Sequence, residues 1–267
     1  RIPALRKRSS RSYRVGAPFL IAQSARTPAL APPQLASVPR EQLGAMRAAG
    51  LEILECQRVL AKGGLNVVGE LLRGQGTFRE YDHFPENDVH DDESHAQYYY
   101  HAHRDLAGEH GHFHTYLRRP GMPPGVAPSQ APHDEPWPLG DEALAHLISI
   151  SMDAYGAPIG LFAPNRWVAG DTWYPAHDVI AMLGFFRIDH AFPSWPVNRW
   201  LGEMCVLFRP HIVQLLLERD RVVEAWRGKL PREDVLERRE IEILAQLPIS
   251  VEGMRAEVDA ALEYSGN

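Results

Sequence analysis

SHAQYYYHAHRDLAGEHGHFHTYLR, residues Ser94–Arg118, is the stretch on which the reading of this chain turns. Eight of the 13 histidines lie between His83 and His114, and five of them fall within fourteen residues. Tyr98, Tyr99 and Tyr100 are strong strand formers. Asp105-Leu106-Ala107-Gly108 has the composition of a four-residue hairpin loop ending in Gly. The stretch is therefore predicted to be two strands joined by a short loop. Pairing Arg104 with Glu109 across the loop sets the register: His103 opposite His110, His101 opposite His112, Tyr99 opposite His114, Gln97 opposite Tyr116. Side chains alternate along a strand, so these eight residues share one face. Tyr98, Tyr100, Ala102, Phe113, Thr115 and Leu117 take the other, with the Arg104–Glu109 ion pair at the loop end. A slip of one residue would destroy that sorting. A helix over residues 93–104 would gather Gln97, His101 and Arg104, but the three tyrosines and the strict His-x-His-x-His run favour strands.

Directly opposed residues carry Cβ atoms about 4.5–5.5 Å apart. Imidazoles at His101, His103, His110 and His112 would thus frame a square the size of a coordination sphere, with His114 beside it. Neutral imidazole binds zinc, iron, copper or nickel at about 2 Å. The expectation is a divalent metal, zinc or iron first, held by three or four of His101, His103, His110, His112 and His114. Tyr99 and Tyr116 share the face and are candidates for proton donation or substrate binding. The competing reading is a polar sheet face whose histidines bond to waters and carboxylates.

The surroundings sort into helices before and after this hairpin. Pro39–Lys62 carries Leu43, Met46, Leu54 and Leu60 near a 3.6-residue period and stops at Gly63-Gly64. Asn66–Arg73 makes a second short helix. Tyr81–Glu93 reads as an acidic loop, from which His83, Asp88, His90 or Asp91 could reach the hairpin. Pro120–Pro138 holds seven prolines in nineteen residues and reads as a linker, strap or lid. Asp141–Leu147 is expected to open as a short helix. Ile148–Met152 and Ile159–Trp167 read as a second hairpin, for a sheet of about four antiparallel strands, with His146 placed to face the histidines. Ala176–Arg187, Val197–Phe208, Pro210–Trp226, Glu233–Gln246 and Val251–Tyr264 read as helices. The tripeptide Asn-Arg-Trp occurs at 165–167 and 198–200. Arg166 and Arg199 could line a ligand pocket, although two packing anchors are the plainer account. The fold class is α+β: a small sheet with a His-lined face, flanked by N- and C-terminal helices.

Composition bounds the function. Residues 1–40 hold eight Arg or Lys and no acid, and residues 1–36 read as a disordered basic lead ahead of one domain over 37–267. Its RKRSSRSYR-VGAPFLIA segment faintly imitates an export signal, but the apolar part is short and contains Gly and Pro. From Glu41 onward 20 basic face 34 acidic side chains, too acidic for a nucleic-acid footprint. No apolar run approaches the ~18 residues of a membrane span. Cys56 and Cys205 sit in apolar helical surroundings and read as free thiols of a reducing, cytoplasmic setting. G-x-S-x-G, a phosphate-binding glycine loop, C-x-x-C and H-E-x-x-H are all missing.

Taken with NRWV and NRWLGEMCVLFRPHI, the histidine stretch resembles an uncharacterised bacterial domain-of-unknown-function family over about residues 39–262. That resemblance implies no mechanism. His101-x-His103 also resembles the first element of the cupin metal motif. Glu109 stands too far along for that motif, however, and the register puts it on the opposite face. Two functions remain: a metal-dependent hydrolase or oxygenase, or a noncatalytic protein binding a metal or a small anionic ligand. Homo-oligomerisation is compatible with the charged C-terminal helices.

Overall fold

The computed structural model describes residues 30–104, 106–130 and 133–264. Most of the predicted lead, residues 1–29, lies outside them. Six strands form one antiparallel sheet in chain order: β1 (Phe84–His90), β2 (Ala96–His101), β3 (Gly111–Arg118), β4 (Leu144–Met152), β5 (Pro158–Pro164) and β6 (Ile243–Pro248). The helices are α1 (Arg40–Lys62), α2 (Val67–Leu72), α3 (Arg166–Ala169), α4 (Ala176–Met182), α5 (Trp195–Leu207), α6 (Arg209–Lys229) and α7 (Val251–Tyr264). Among the described residues, no helix is long and apolar enough to cross a membrane.

The hairpin register holds where the strands pair. Gln97 faces Tyr116, Tyr99 faces His114 and His101 faces His112. β4 continues the sorting, with Ser149 opposite His114 and Ser151 opposite His112, while Ile148 and Ile150 fall on the apolar side. On that side Tyr98, Tyr100, Phe113, Leu117, Ile150, Leu161 and Ala163 join a core with α1, α4, α5, α6 and α7. Trp200 of α5 is fully buried and meets the Phe113 ring at 5.9 Å between centroids. Tyr98 Oη donates to Asn198 Oδ1 at 2.5 Å, so even the polar tip of this core residue is satisfied. Burying each such side chain contributes about 1.5–3 kcal/mol, and this face fixes the sheet against the helices.

The sheet has six strands rather than about four because two segments were hidden. β1 lies in the stretch read as an acidic loop. Its pairing with β2 is broken between Phe84 and Val89, and Asp88 has a φ of 57°, so no clean alternation marks it. β6 lies in the stretch read as a helix from Glu233 to Gln246. Ala245 and Leu247 enter the main core while Leu244 enters a second cluster with Trp137, Trp173, Val223 and Leu236. A strand buried on both faces shows no period of two, and its apolar spacing imitates a helix. Between Asp141 and Leu147 there is a 3-10 turn at Gly140–Glu142, after which the chain is already β4. β5 ends at Pro164, short of the predicted Trp167, because the Asn165 side chain caps α3.

The two Asn-Arg-Trp tripeptides share a role. Asn165 Nδ2 donates to the carbonyls of Val235 and Ile241, and Asn198 Nδ2 to those of His190 and Phe192. Asn165 pins a distant segment to the start of α3, and Asn198 pins the segment just before α5 to that helix. These are packing anchors.

Candidate metal centre

The histidine face is buried as deeply as the apolar one, but connecting segments cover it. Tyr81 and His83, from the segment before β1, stack on His103 and Tyr99 respectively. Arg104 from the hairpin loop lies 4.1 Å over the Phe162 ring. Tyr116 Oη donates to the Ala169 carbonyl at the end of α3.

Beneath this cover His101, His103, His112 and His114 converge. Ring centroids are 4.6 Å apart for His101–His103 and His101–His112, 4.9 Å for His101–His114, and 5.0 Å for His103–His112 and His112–His114. One ring nitrogen from each lies within 4.8 Å of the others, an arrangement that could hold a metal ion. A tetrahedral ion with bonds of about 2.0–2.1 Å sets its ligands about 3.3 Å apart, so small rotations of the rings would complete the sphere. The Nε2 atoms of His101, His112 and His114 are all buried without a hydrogen-bond partner. Leaving a buried polar atom unsatisfied costs about 1–3 kcal/mol, which makes three together a chemical signature.

Two of the rings are oriented from behind. His112 Nδ1 bonds Glu109 Oε1 at 2.7 Å; a proton on Nδ1, donated to that carboxylate, leaves Nε2 as the lone-pair donor. His114 Nδ1 lies 3.1 Å from His146 Nε2 and 3.0 Å from Ser149 Oγ, which also bond each other. Burial, reinforced by neighbouring histidines, drives the pKa of His101 down to about 2. It drives those of His112 and His114 well below the ordinary value and, with Glu242 and Glu109 opposing, lowers that of His103. The cluster is therefore neutral at physiological pH, the state that binds metal.

His110 is not part of this group. The ladder ends at the His101–His112 pair, and beyond it the alternation lapses. The Tyr100 ring crosses the face of Gly111, where an added Cβ would sit 2.6 Å from the hydroxyl. That hydroxyl bonds His110 Nδ1 at 2.7 Å, and the His110 ring stacks on Phe78. Glu109, expected on the opposite face, instead turns into the site for the same reason. It bonds His112 and also Arg104, at 3.2 Å, so the predicted Arg104–Glu109 pair exists but serves the cluster.

The remaining candidates are placed as follows. Tyr99 Oη and Tyr116 Oη lie 3.0 Å apart, with the Tyr99 ring 5.1 Å from those of His101 and His114. Arg166 is paired with Glu237 and bonded to the Asp171 carbonyl, and Arg199 is paired with Glu52 of α1 and Glu203. Both are engaged elsewhere. Of the acidic segment, His83 bonds Asp88, which also receives Gln97, while Asp91 collects the backbone N–H groups of Glu93, Ser94 and Asp189. Neither carboxylate reaches the four rings. Ser149 is the supporting residue that sequence reading passed over. The alternation of LISISM already put it, with Ser151, on the face opposite Ile148 and Ile150.

The protein is an α+β fold whose sheet carries, on one face, a cluster of four histidines that could hold a metal ion. The chain belongs to the family described as domain of unknown function DUF6969, which matches residues 47–249. No curated protein and no solved structure matches it.

Proposed function

We propose that this protein binds one divalent transition metal, zinc first and iron second, through His101, His103, His112 and His114. The gathering of the four rings, one nitrogen of each within 4.8 Å of the others, together with three buried Nε2 atoms that have no partner, carries the reading. An all-imidazole set suits zinc, copper, nickel or iron and not the hard ions magnesium and calcium. The nearest carboxylate, Glu109, is committed to His112 Nδ1, so the two-histidine, one-carboxylate set of iron oxygenases is not assembled. That favours hydrolytic over oxygen chemistry, with one histidine giving way: zinc held by three of the four would have an open position and would supply a water ionising near pH 7. The Tyr99 and Tyr116 hydroxyls are spent on each other and on Ala169, which favours a supporting role for both. The buried free thiols of Cys56 and Cys205 suit a reducing, cytoplasmic compartment.

The noncatalytic alternative also has an observation behind it. A cleft of about 280 Å³ beside the site is lined by Arg104, Leu106, Ser151, Gly160 and Phe162 among others, and by none of the four histidines. A metal shielded from that cleft would be a closed, binding-only centre. The test of metal binding is elemental analysis of untagged protein purified without chelator, beside a His101→Ala/His112→Ala double variant checked by circular dichroism. We expect about one ion per chain, lost in the folded double variant. Stoichiometric metal retained by the folded double variant would refute the site.

A further inference from the structure

The four histidines are held very differently. His101, His112 and His114 lie inside paired strands, and β3 is bonded on both sides. Their Nε2 atoms are buried, and two of the three rings are fixed by bonds at Nδ1. Swinging any of them out of the site works against buried packing, and for His112 and His114 against a bond at Nδ1 as well. His103 follows the last paired residue of β2, in irregular backbone. It is only half-buried, and neither of its ring nitrogens is among the buried unpartnered atoms. Its outer face stacks on Tyr81, itself 71% exposed. Rotating this ring outward disturbs the exposed stacking contact with Tyr81 and the edge contacts with the His101 and His112 rings, and breaks no strand pairing.

Resting on the metal reading above, we propose that His101, His112 and His114 are the permanent holding set. His103 is then a displaceable fourth ligand, whose departure opens a coordination position to a small monoanion such as hydroxide or a carboxylate. The charges around the opening select that class. The ion and the Arg104 guanidinium attract an anion, while Glu109, bound to Arg104, and Glu242, which acts on both His103 and Arg104, oppose a second negative charge. The exchange replaces one donor by another and needs no change in oxidation state. It also lets a centre that is closed at rest become an open one.

The test uses the full chain loaded with cobalt(II), whose visible spectrum reports coordination number, and azide as the probe monoanion. Wild type should hold cobalt and change its spectrum on azide titration. His103→Ala should keep about one cobalt per chain and bind azide about tenfold more tightly, as expected if His103 occupies the position nine-tenths of the time. His112→Ala should lose the metal. A wild-type spectrum unmoved by azide would overturn the proposal, as would azide affinity unchanged in His103→Ala. Cobalt loss in His103→Ala as complete as in His112→Ala, with both folded by circular dichroism, would also overturn it and leave a closed four-histidine site. Failure of wild type to take up cobalt, zinc or iron would instead remove the metal reading itself.

Discussion

The two faces of one sheet are both largely buried, and for opposite reasons. The face carrying Tyr98, Phe113 and Ile150 is packed by helices, and the polar atoms left unpartnered on that side, Trp200 Nε1, Tyr174 Oη and His211 Nδ1, belong to three separate segments. The face carrying His101, His112 and His114 is capped by loops and leaves three nitrogens unsatisfied. One face therefore contributes stability and the other stores a cost, which a bound ion would turn into affinity. Proteins accept such a cost at functional sites. The contrast predicts that substitutions on the two faces fail in separable ways.

The largest effect should come from the helix-covered face. Trp200→Ala opens a cavity where α5 meets Phe113 and should cost about 3–5 kcal/mol, a large part of a typical domain's stability. Chemical denaturation would show a lower midpoint, and the metal content of the fraction still folded should be unchanged. If the folded fraction loses its metal as well, the two faces are not independent and the comparison breaks.

A smaller and more selective effect is expected behind the cluster. Glu109→Gln keeps the shape but removes the carboxylate that orients His112, and should weaken metal affinity about 10- to 100-fold. Zinc competition against a chromophoric chelator measures this. Thermal stability without metal should fall as well, because the buried Arg104 loses its counter-charge, so the affinity is read on protein shown to be folded. An affinity equal to wild type would mean that His112 needs no partner, and would separate the orphan nitrogens from metal binding.

How much of this was legible in the sequence follows from the same contrast. The central hairpin could be read because one face is polar and the other apolar, so only one register sorts them, and β2 and β3 pair in that register. β6 could not, because Leu244 is buried on one side and Ala245 on the other, which erases the alternation. β1 could not, because its pairing is interrupted before Val89. At the site, alternation placed His101, His112 and His114 together but failed one residue beyond the ladder. There Tyr100 lying across Gly111 draws His110 away, and the released backbone turns Glu109 inward. Periodicity speaks for paired residues only, so the loop-borne part of the centre had to be seen in three dimensions.

The least effect belongs to a histidine remote from the cluster. His211 of α6 is buried beside Phe208 with Nδ1 unpartnered, and burial lowers its pKa to about 4. The unfolded chain takes up a proton at this position near pH 6.5, and the folded chain only near pH 4. Its stabilising neutral form is therefore fully favoured above about pH 6.5, and that contribution is lost as pH falls through the window down to about 4. His211→Gln, which cannot titrate, should cost a little stability at pH 7 and flatten the decline between pH 7 and pH 5, read as the difference in denaturation midpoint. Metal content at pH 7 should be identical to wild type. A decline as steep in the variant would place the acid sensitivity on the other face, where neutral histidines are most crowded, and would make the loop-covered side the weaker of the two in acid.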